Sequence, residues 1–474
     1  MATLSRCLLL VAPFSSNLLS DHSCFSNNFL GNYRDGGEAF SVLTVQDPTC
    51  MDFWDSNLDE AHYAPFAMTE RRLVWIEKAA IDDKLQLYAL PDEDFIENFL
   101  QSLDTPAYDQ QEVISSSESI VSPTYDLHYR SSTAALLSVD ADRAITIDIS
   151  LPPYLKSTLL PSEPVGFVPV PASSIEPVKR LLENLKFDPV VASVVNNISI
   201  PQIKNDIRFL TGEDEKSGII SRHSFSDGAL TAARWLKERV EDTGAACRLA
   251  PFLIGFAPNV ICRYTGIKDS KATVLISGHY DSRGSFGSVR APGGDDDGSG
   301  TTGVLSIART IARKGVKFHS NVELAFFAGE EQGLLGSRAY ARELRAADAN
   351  LTLMIQADMT AYRAPGEPLQ IGFPDVIGTP EVTQLVANIS AIYSPELQIG
   401  ITPACCSDHQ SFHEQGFPST QVFERAGPIA DPMYHNSGDL SDREGYDFDQ
   451  LYAIAKVQFA TVLHTAGFEL ADDS

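Results

Sequence analysis

Residues 274–360 decide how this chain is read. They run V-L-I-S-G-H-Y-D-S (274–282), P-G-G-D-D-D-G-S-G (292–300), A-F-F-A-G-E-E-Q-G-L-L-G-S (325–337) and M-I-Q-A-D-M-T (354–360). The apolar runs are short and rich in Val, Ile, Leu and Phe, as buried strands are. Each meets Gly and ends in acidic residues or His. Polar groups gathered at the carboxyl ends of strands are how an open α/β sheet builds its active site. The stretch therefore offers His279, Asp281, Asp295, Asp296, Asp297, Glu330, Glu331 and Asp358 to one sheet edge. Farther on, Met433-Tyr434-His435-Asn436 adds a second His.

Working outward, the chain has 474 residues, enough for two domains or one domain with a long extension. Acidic residues outnumber basic ones 63 to 36, a net charge of −27. That balance argues against nucleic acid, whose phosphates need a basic surface. No run approaches the roughly 20 apolar residues of a membrane span. Arg6 followed by the mostly apolar Cys7–Phe14 reads as a short signal-peptide core, with residues 1–20 as the leader. A disordered cytosolic start is the alternative. Asn197, Asn350 and Asn388 each open a glycosylation sequon. Of the seven cysteines, Cys247 and Cys262 flank an expected hairpin and could bridge it, or remain a reduced pair. Cys405 and Cys406 are adjacent, so a bond between them would be strained.

Residues 21–60, rich in Ser, Asn, Asp and Gly, read as mostly disordered. They open an N-terminal extension, 21–150, whose folded part includes an expected strand at Arg143–Ser150. Seven prolines between Pro152 and Pro177 mark a linker, 151–187, and a place for a maturation cut. The second domain, 188–474, alternates helical and strand patterns: strands near 272–278, 321–328, 351–357 and 419–424, and helices near 202–210, 228–241, 299–313, 334–344, 380–393 and 448–465. This predicts an α/β fold, a mixed and largely parallel central sheet covered by helices on both faces, preceded by a small α+β module.

His279, Asp296, Glu331, Asp358 and His435 make two imidazoles and three carboxylates. These are the usual non-thiolate ligands of zinc. Five are too many for one tetrahedral catalytic ion with an open position, and suit two ions sharing a carboxylate. Of the neighbours Glu330 and Glu331, only one can readily ligate. The other can serve as general base for the attacking water. Asp281, two residues past His279, is placed to accept the far N–H of that imidazole.

The motifs G-H-Y-D-S, P-G-G-D-D-D-G-S-G, G-E-E-Q-G-L-L-G-S, Q-A-D-M-T and Y-H-N-S-G-D, in this order, closely resemble those of the secreted two-zinc aminopeptidases, such as bacterial and fungal leucine aminopeptidases. The resemblance spans about Asp188 to Phe468. It implies that His279, Asp296 and Asp358 hold one zinc, and Asp296, Glu331 and His435 the other. It makes Glu330 the general base and acid, and places a cis peptide between Asp296 and Asp297. It gives Tyr434 an oxyanion-donating hydroxyl, and Met359, Cys406 and Phe423 a place in the substrate pocket. The implied partners are peptides with a free N-terminus, the implied state is a monomer, and the implied location is secreted or vacuolar. The N-terminal module loosely resembles the propeptides of fungal relatives.

Two departures bear on the pocket. Thr402 stands where some members have the first Cys of a C-x-x-x-C bridge, and Gly427 to Ala430 replace family aromatics. Two other readings stay open. A carboxypeptidase or dipeptidase of the same fold would need a cation for the substrate carboxylate, with Arg363 and Arg425 available. A binding module that had lost catalysis would be expected to lose ligands as well.

Overall fold

A computed structural model of the chain describes residues 6–45, 50, 61–67, 71–86, 95–104, 124–285 and 287–471. Two units partition it: Met1–Ala79 with Leu87–Phe167, and Ala80–Gln86 with Val168–Ser474. Among the described residues, no helix is long and apolar enough to cross a membrane.

The second unit is built on the strands read from the sequence. Its six-stranded sheet runs Ser419–Val422, Leu351–Ala357, Thr273–His279, Asn321–Phe327, Asn259–Tyr264, Ala246–Ala250. The first four are parallel and the last two add antiparallel at one edge. Side chains alternate faces along each strand. Val274 and Ile276 enter one core with Leu305, Ile307, Leu451 and Ile454 from the helices Gly298–Lys314 and Phe448–Ala466. Leu275, Ala325 and Phe327 enter a second core with Tyr340 and Phe412, from Leu335–Ala346 and His409–Glu414. The sheet is therefore mixed and covered on both faces. From Thr273–His279 the chain first places Asn321–Phe327 on one side, then Leu351–Ala357 on the other. That reversal of strand order opens a crevice beyond the carboxyl ends. The edge hairpin is stapled by Cys247–Cys262, paired directly across the strands.

The first unit holds two antiparallel four-stranded sheets. One runs Phe29–Asp35, Glu38–Val45, Arg6–Pro13, His62–Ala67, and the other Tyr125–Arg130, Ala134–Val139, Arg72–Lys78, Leu155–Leu159. Trp75 stacks between Tyr33 and Tyr129, at 5.4 Å from each ring.

Here the structure differs from several expectations. The segment expected as a leader is an inner strand of the first sheet, burying Leu9, Leu10 and Val11. An eight-residue apolar run suits a buried strand as well as a leader. The expected disorder of 21–60 gives way to ordered structure over 22–45, because Phe25, Phe29, Leu43 and Val45 supply a core and Gly36–Gly37 close a tight hairpin. Residues 51–60 lie outside the described residues. Arg143–Ser150 is not a strand: Ala141–Thr146 is helical and Ile147–Ser150 a 3₁₀ turn. Its buried residues, Ala144, Ile147 and Asp148, carry the helical spacing. The proline-rich stretch is not an open linker. Leu155–Leu159 pairs with one strand as a sheet edge, where flanking prolines cost no ladder bond, and a helix already spans Ala172–Asn184. Cys405 and Cys406 are bonded to each other across a cis peptide, with their Cα atoms 3.0 Å apart.

Candidate metal centre

Three neighbouring parallel strands deliver the first candidate site residues. His279 ends the central strand, Glu330 and Glu331 follow Asn321–Phe327, and Asp358 follows Leu351–Ala357. Asp296 sits in the turn leading into the helix Gly298–Lys314, whose N-terminus favours negative charge. His435 arrives from the irregular segment after Ser419–Val422.

Two clusters result, His279 with Asp296 and Asp358, and Asp296 with Glu331 and His435. Asp296 belongs to both. Its Oδ1 lies 3.2 Å from His279 Nε2, and its Oδ2 lies 3.2 Å from His435 Nε2. Asp358 Oδ1 stands 3.6 Å from His279 Nε2, and Glu331 Oε2 stands 2.9 Å from His435 Nε2. All of these side chains are buried or nearly so. Yet His279 Nε2 and both Glu331 carboxylate oxygens lack a hydrogen-bond partner. Buried polar atoms are ordinarily satisfied. An ion is the partner that this set of imidazoles and carboxylates fits.

The supporting groups are equally ordered. Asp281 Oδ1 lies 3.4 Å from His279 Nδ1, while the Asp281 backbone carbonyl is nearer that nitrogen, at 3.2 Å. The same carboxylate accepts the Ser224 hydroxyl at 2.9 Å and the amides of Glu330 and Glu331 at 3.3 Å. It therefore ties the His279 imidazole and the Glu330–Glu331 turn together. Asp297 accepts the His279 amide at 2.9 Å, the Gly300 amide at 2.9 Å and the Met359 amide at 3.2 Å. It ties two strand ends to the helix start. The peptide joining Asp296 to Asp297 is cis.

Charge follows from this crowding. Burial disfavours the charged form of Asp296, but the imidazoles of His279 and His435 beside its two oxygens outweigh it and hold its pKa well below the usual range. Burial also works against protonation of His279. The carboxylates of Asp358 and Glu330 overcome it and raise that imidazole. Asp297 is raised by burial. Burial also pushes Asp408 up to about 7, with its two oxygens lacking a hydrogen-bond partner.

Glu330 Oε2 is 4.0 Å from His279 Nε2, beside the first cluster. The Tyr434 ring stacks on the His435 ring with centroids 3.8 Å apart. Met359, at φ +51°, and Phe423 are buried, and Cys406 is occupied by its bond to Cys405. Several contributors were not singled out from the sequence. Ser224 is one. Arg283, whose Nη1 lies 2.9 Å from His435 Nδ1, is another. Both reach the site from loops, and no periodicity marks a loop residue's target.

The fold and site define a metal-dependent hydrolase of the α/β peptidase kind. Residues 259–462 match peptidase family M28. Leucine aminopeptidase 1 of Sclerotinia sclerotiorum is 31% identical over 269 residues, covering 52% of this chain and 67% of that protein. A probable leucine aminopeptidase of Arthroderma otae is 29% identical over 284 residues, covering 56% and 73%. Among solved structures, the Legionella pneumophila LapA aminopeptidase superposes with a TM-score of 0.57 at 15% identity, covering 85% of this chain and 99% of that one. LapB from the same organism gives 0.58 at 17%, covering 84% and 100%. These two likenesses establish the fold. The chain belongs to peptidase family M28.

Proposed function

We propose that the chain is a two-zinc aminopeptidase that releases N-terminal, mainly apolar residues from peptides. The observation that carries this reading is Asp296, whose two oxygens face two separate imidazole-and-carboxylate clusters at 3.2 Å each. His279, Asp296 and Asp358 would hold one zinc, and Asp296, Glu331 and His435 the other. When bound, zinc supplies a Lewis acid and makes water acidic enough to attack at neutral pH. Glu330 takes the proton of the attacking water and delivers it to the leaving amine. Tyr434, fixed by its stack on His435, offers its hydroxyl to the oxyanion. Asp281 and Asp297 orient the ligands, and Met359, Cys406 and Phe423 line the pocket for the N-terminal side chain. The apolar preference rests on the leucine aminopeptidase relatives.

The carboxypeptidase reading is less well supported. Arg363 pairs with Asp447, and Arg425 pairs with Glu367 and Asp82, so both cations are committed. The bonded pairs Cys24–Cys50 and Cys247–Cys262 favour an oxidising compartment, secreted or vacuolar. The first unit is read as a propeptide-like module and the enzyme as a monomer.

The test is an assay of the zinc-loaded chain on a leucyl anilide and on an amino-blocked dipeptide, before and after a cut at Phe167–Val168. Cleavage of the anilide, with two zincs bound, supports the proposal. Release from the blocked dipeptide alone sinks it in favour of a carboxypeptidase. Glu330→Gln should keep both zincs and lose about 10²–10⁴-fold in turnover.

A further inference from the structure

The Y-H-N-S-G-D motif carries an acid that the proposed chemistry does not use. Asp431, His435, Asp439 and Arg443 follow one another at intervals of four residues. Although the segment is irregular, the structure brings Asp431, Asp439 and Arg443 together. Arg443 Nη1 donates to Asp431 Oδ1 at 2.9 Å, and its Nη2 donates both to Asp431 Oδ2 and, at 2.9 Å, to Asp439 Oδ1. Asp431 and Asp439 are fully buried, and the guanidinium lies beside the rings of Tyr362 and Tyr446, 5.4 and 6.0 Å from their centroids.

Asp439 in turn grips the turn that bears the shared ligand. Its carbonyl accepts the Gly294 amide at 2.7 Å. Its carboxylate accepts the Asp295 amide at 3.0 Å and the Asp296 amide at 3.1 Å. Three consecutive backbone donors thus end on one residue. The approach is close enough that a Cβ on Gly294 would come within 2.7 Å of the Leu440 backbone. Tyr446 adds a hydrogen bond to the Gly294 carbonyl at 3.1 Å. Asp431 meanwhile caps the start of the other loop, accepting the Met433 amide at 2.9 Å, two residues before His435.

We infer that Arg443 is a positioning residue of the metal centre: through Asp431 and Asp439 it locks the segment carrying His435 onto the turn carrying Asp296. This rests on the two-metal reading above. The second cluster needs Asp296 and His435 at fixed separation, and no strand pairing connects the two segments that supply them. A planar fork that reaches two carboxylates at once can set that separation. Lysine, a point charge, can do so only in part.

The experiment uses the full-length chain stripped of metal, as wild type, Arg443→Gln, Arg443→Lys and Asp439→Asn. Each is titrated with zinc against a chromophoric chelator, and folding is followed by circular dichroism. The wild type is expected to take two zincs. Arg443→Gln should stay folded and bind its weaker zinc at least about ten-fold less tightly, in the range seen when groups supporting a ligand are removed. Arg443→Lys should recover part of that loss. A folded Arg443→Gln whose two zinc affinities match the wild type overturns the proposal alone. Equal losses in the Gln and Lys variants, with altered dichroism, overturn it in favour of a merely structural ion pair. If Arg443→Gln does not fold, Asp439→Asn is judged by the same ten-fold criterion. A wild type that takes up no zinc overturns the metal reading itself, and this inference with it.

Discussion

Asp281 shows how few atoms hold the candidate metal centre together. Its carboxylate meets the His279 imidazole, the Ser224 hydroxyl and the amides of Glu330 and Glu331. On the proposed function, removing its charge should loosen His279 and the Glu330–Glu331 turn together. Asp281→Asn should weaken zinc binding by about 10–100-fold, the usual cost of losing such a support, while the metal-free chain stays folded. Chelator competition measures the first and circular dichroism the second; unchanged zinc affinity would contradict this role. Ser224→Ala, which removes a single donor from Asp281, should have a smaller effect in the same assay. At this scale the sequence was most legible where residues end strands. His279, Glu330, Glu331 and Asp358 could be placed because a short apolar run, Gly and a polar residue together mark a strand's carboxyl end. Ser224, Arg283 and the hold of Asp439 on the Asp296 turn could not. They act across 57, 152 and 143 residues of chain on Asp281, His435 and Asp296 respectively (281−224, 435−283, 439−296), and nothing local records such a separation.

Elements carry the site because they are held in turn by buried polar devices. Arg222 is one. It is fully buried and donates to the carbonyls of Tyr280, Leu210 and Gly293 at 2.7, 3.0 and 2.8 Å, and also to Pro292. It joins the end of the central strand to the turn before Asp296. Arg222→Met fills the space but leaves those acceptors without donors. At about 1–3 kcal/mol for each unsatisfied group, with partial relaxation, a loss on the order of 4 kcal/mol is expected in urea unfolding. A loss below about 1 kcal/mol would mean water replaces the guanidinium. The Cys247–Cys262 staple, closing a separation of 15 residues, should contribute about 3 kcal/mol through the entropy of the unfolded chain. The double Cys→Ser variant measured in the same way checks it. Elements were legible where period and length agreed, as in Ile200–Leu210 or Asp227–Glu241. They were misread where composition stood in for pattern. Prolines around Leu155–Leu159 hid an edge strand, and the apolar run at Cys7–Phe14 suits both a leader and the buried strand that here pairs with Glu38–Val45 and His62–Ala67.

On the scale of the whole molecule, the two units are not consecutive in sequence. Ala80–Gln86 belongs with Val168–Ser474, although the chain on both sides of it belongs to the first unit. Within the second unit, Ile81 bridges Ile429, the Asp82 amide donates to the Ile429 carbonyl at 2.7 Å, and Asp82 pairs with Arg425 at 2.9 Å. Arg425 also holds Glu367 at 2.7 Å. A cut near Phe167 therefore leaves residues 80–86 as part of the second unit's own packing. Acid should weaken that attachment. The Lys84 amide, then Arg425, hold the Asp82 carboxyl below its usual range, and the Arg425 hydrogen bond does the same for Glu367. A folded-state pKa below the unfolded one adds stability that is present above the ordinary carboxylate range, about 4, and lost as pH falls through the folded value. Asp82→Asn should therefore melt below the wild type at pH 7, and the gap should narrow as pH falls from about 5 to 3. Asp82 is half-buried and still reached by solvent, so high salt should narrow it in part. A gap that stays constant across that pH range would place the contribution of this segment in the Ile81–Ile429 pairing rather than in the ion pair.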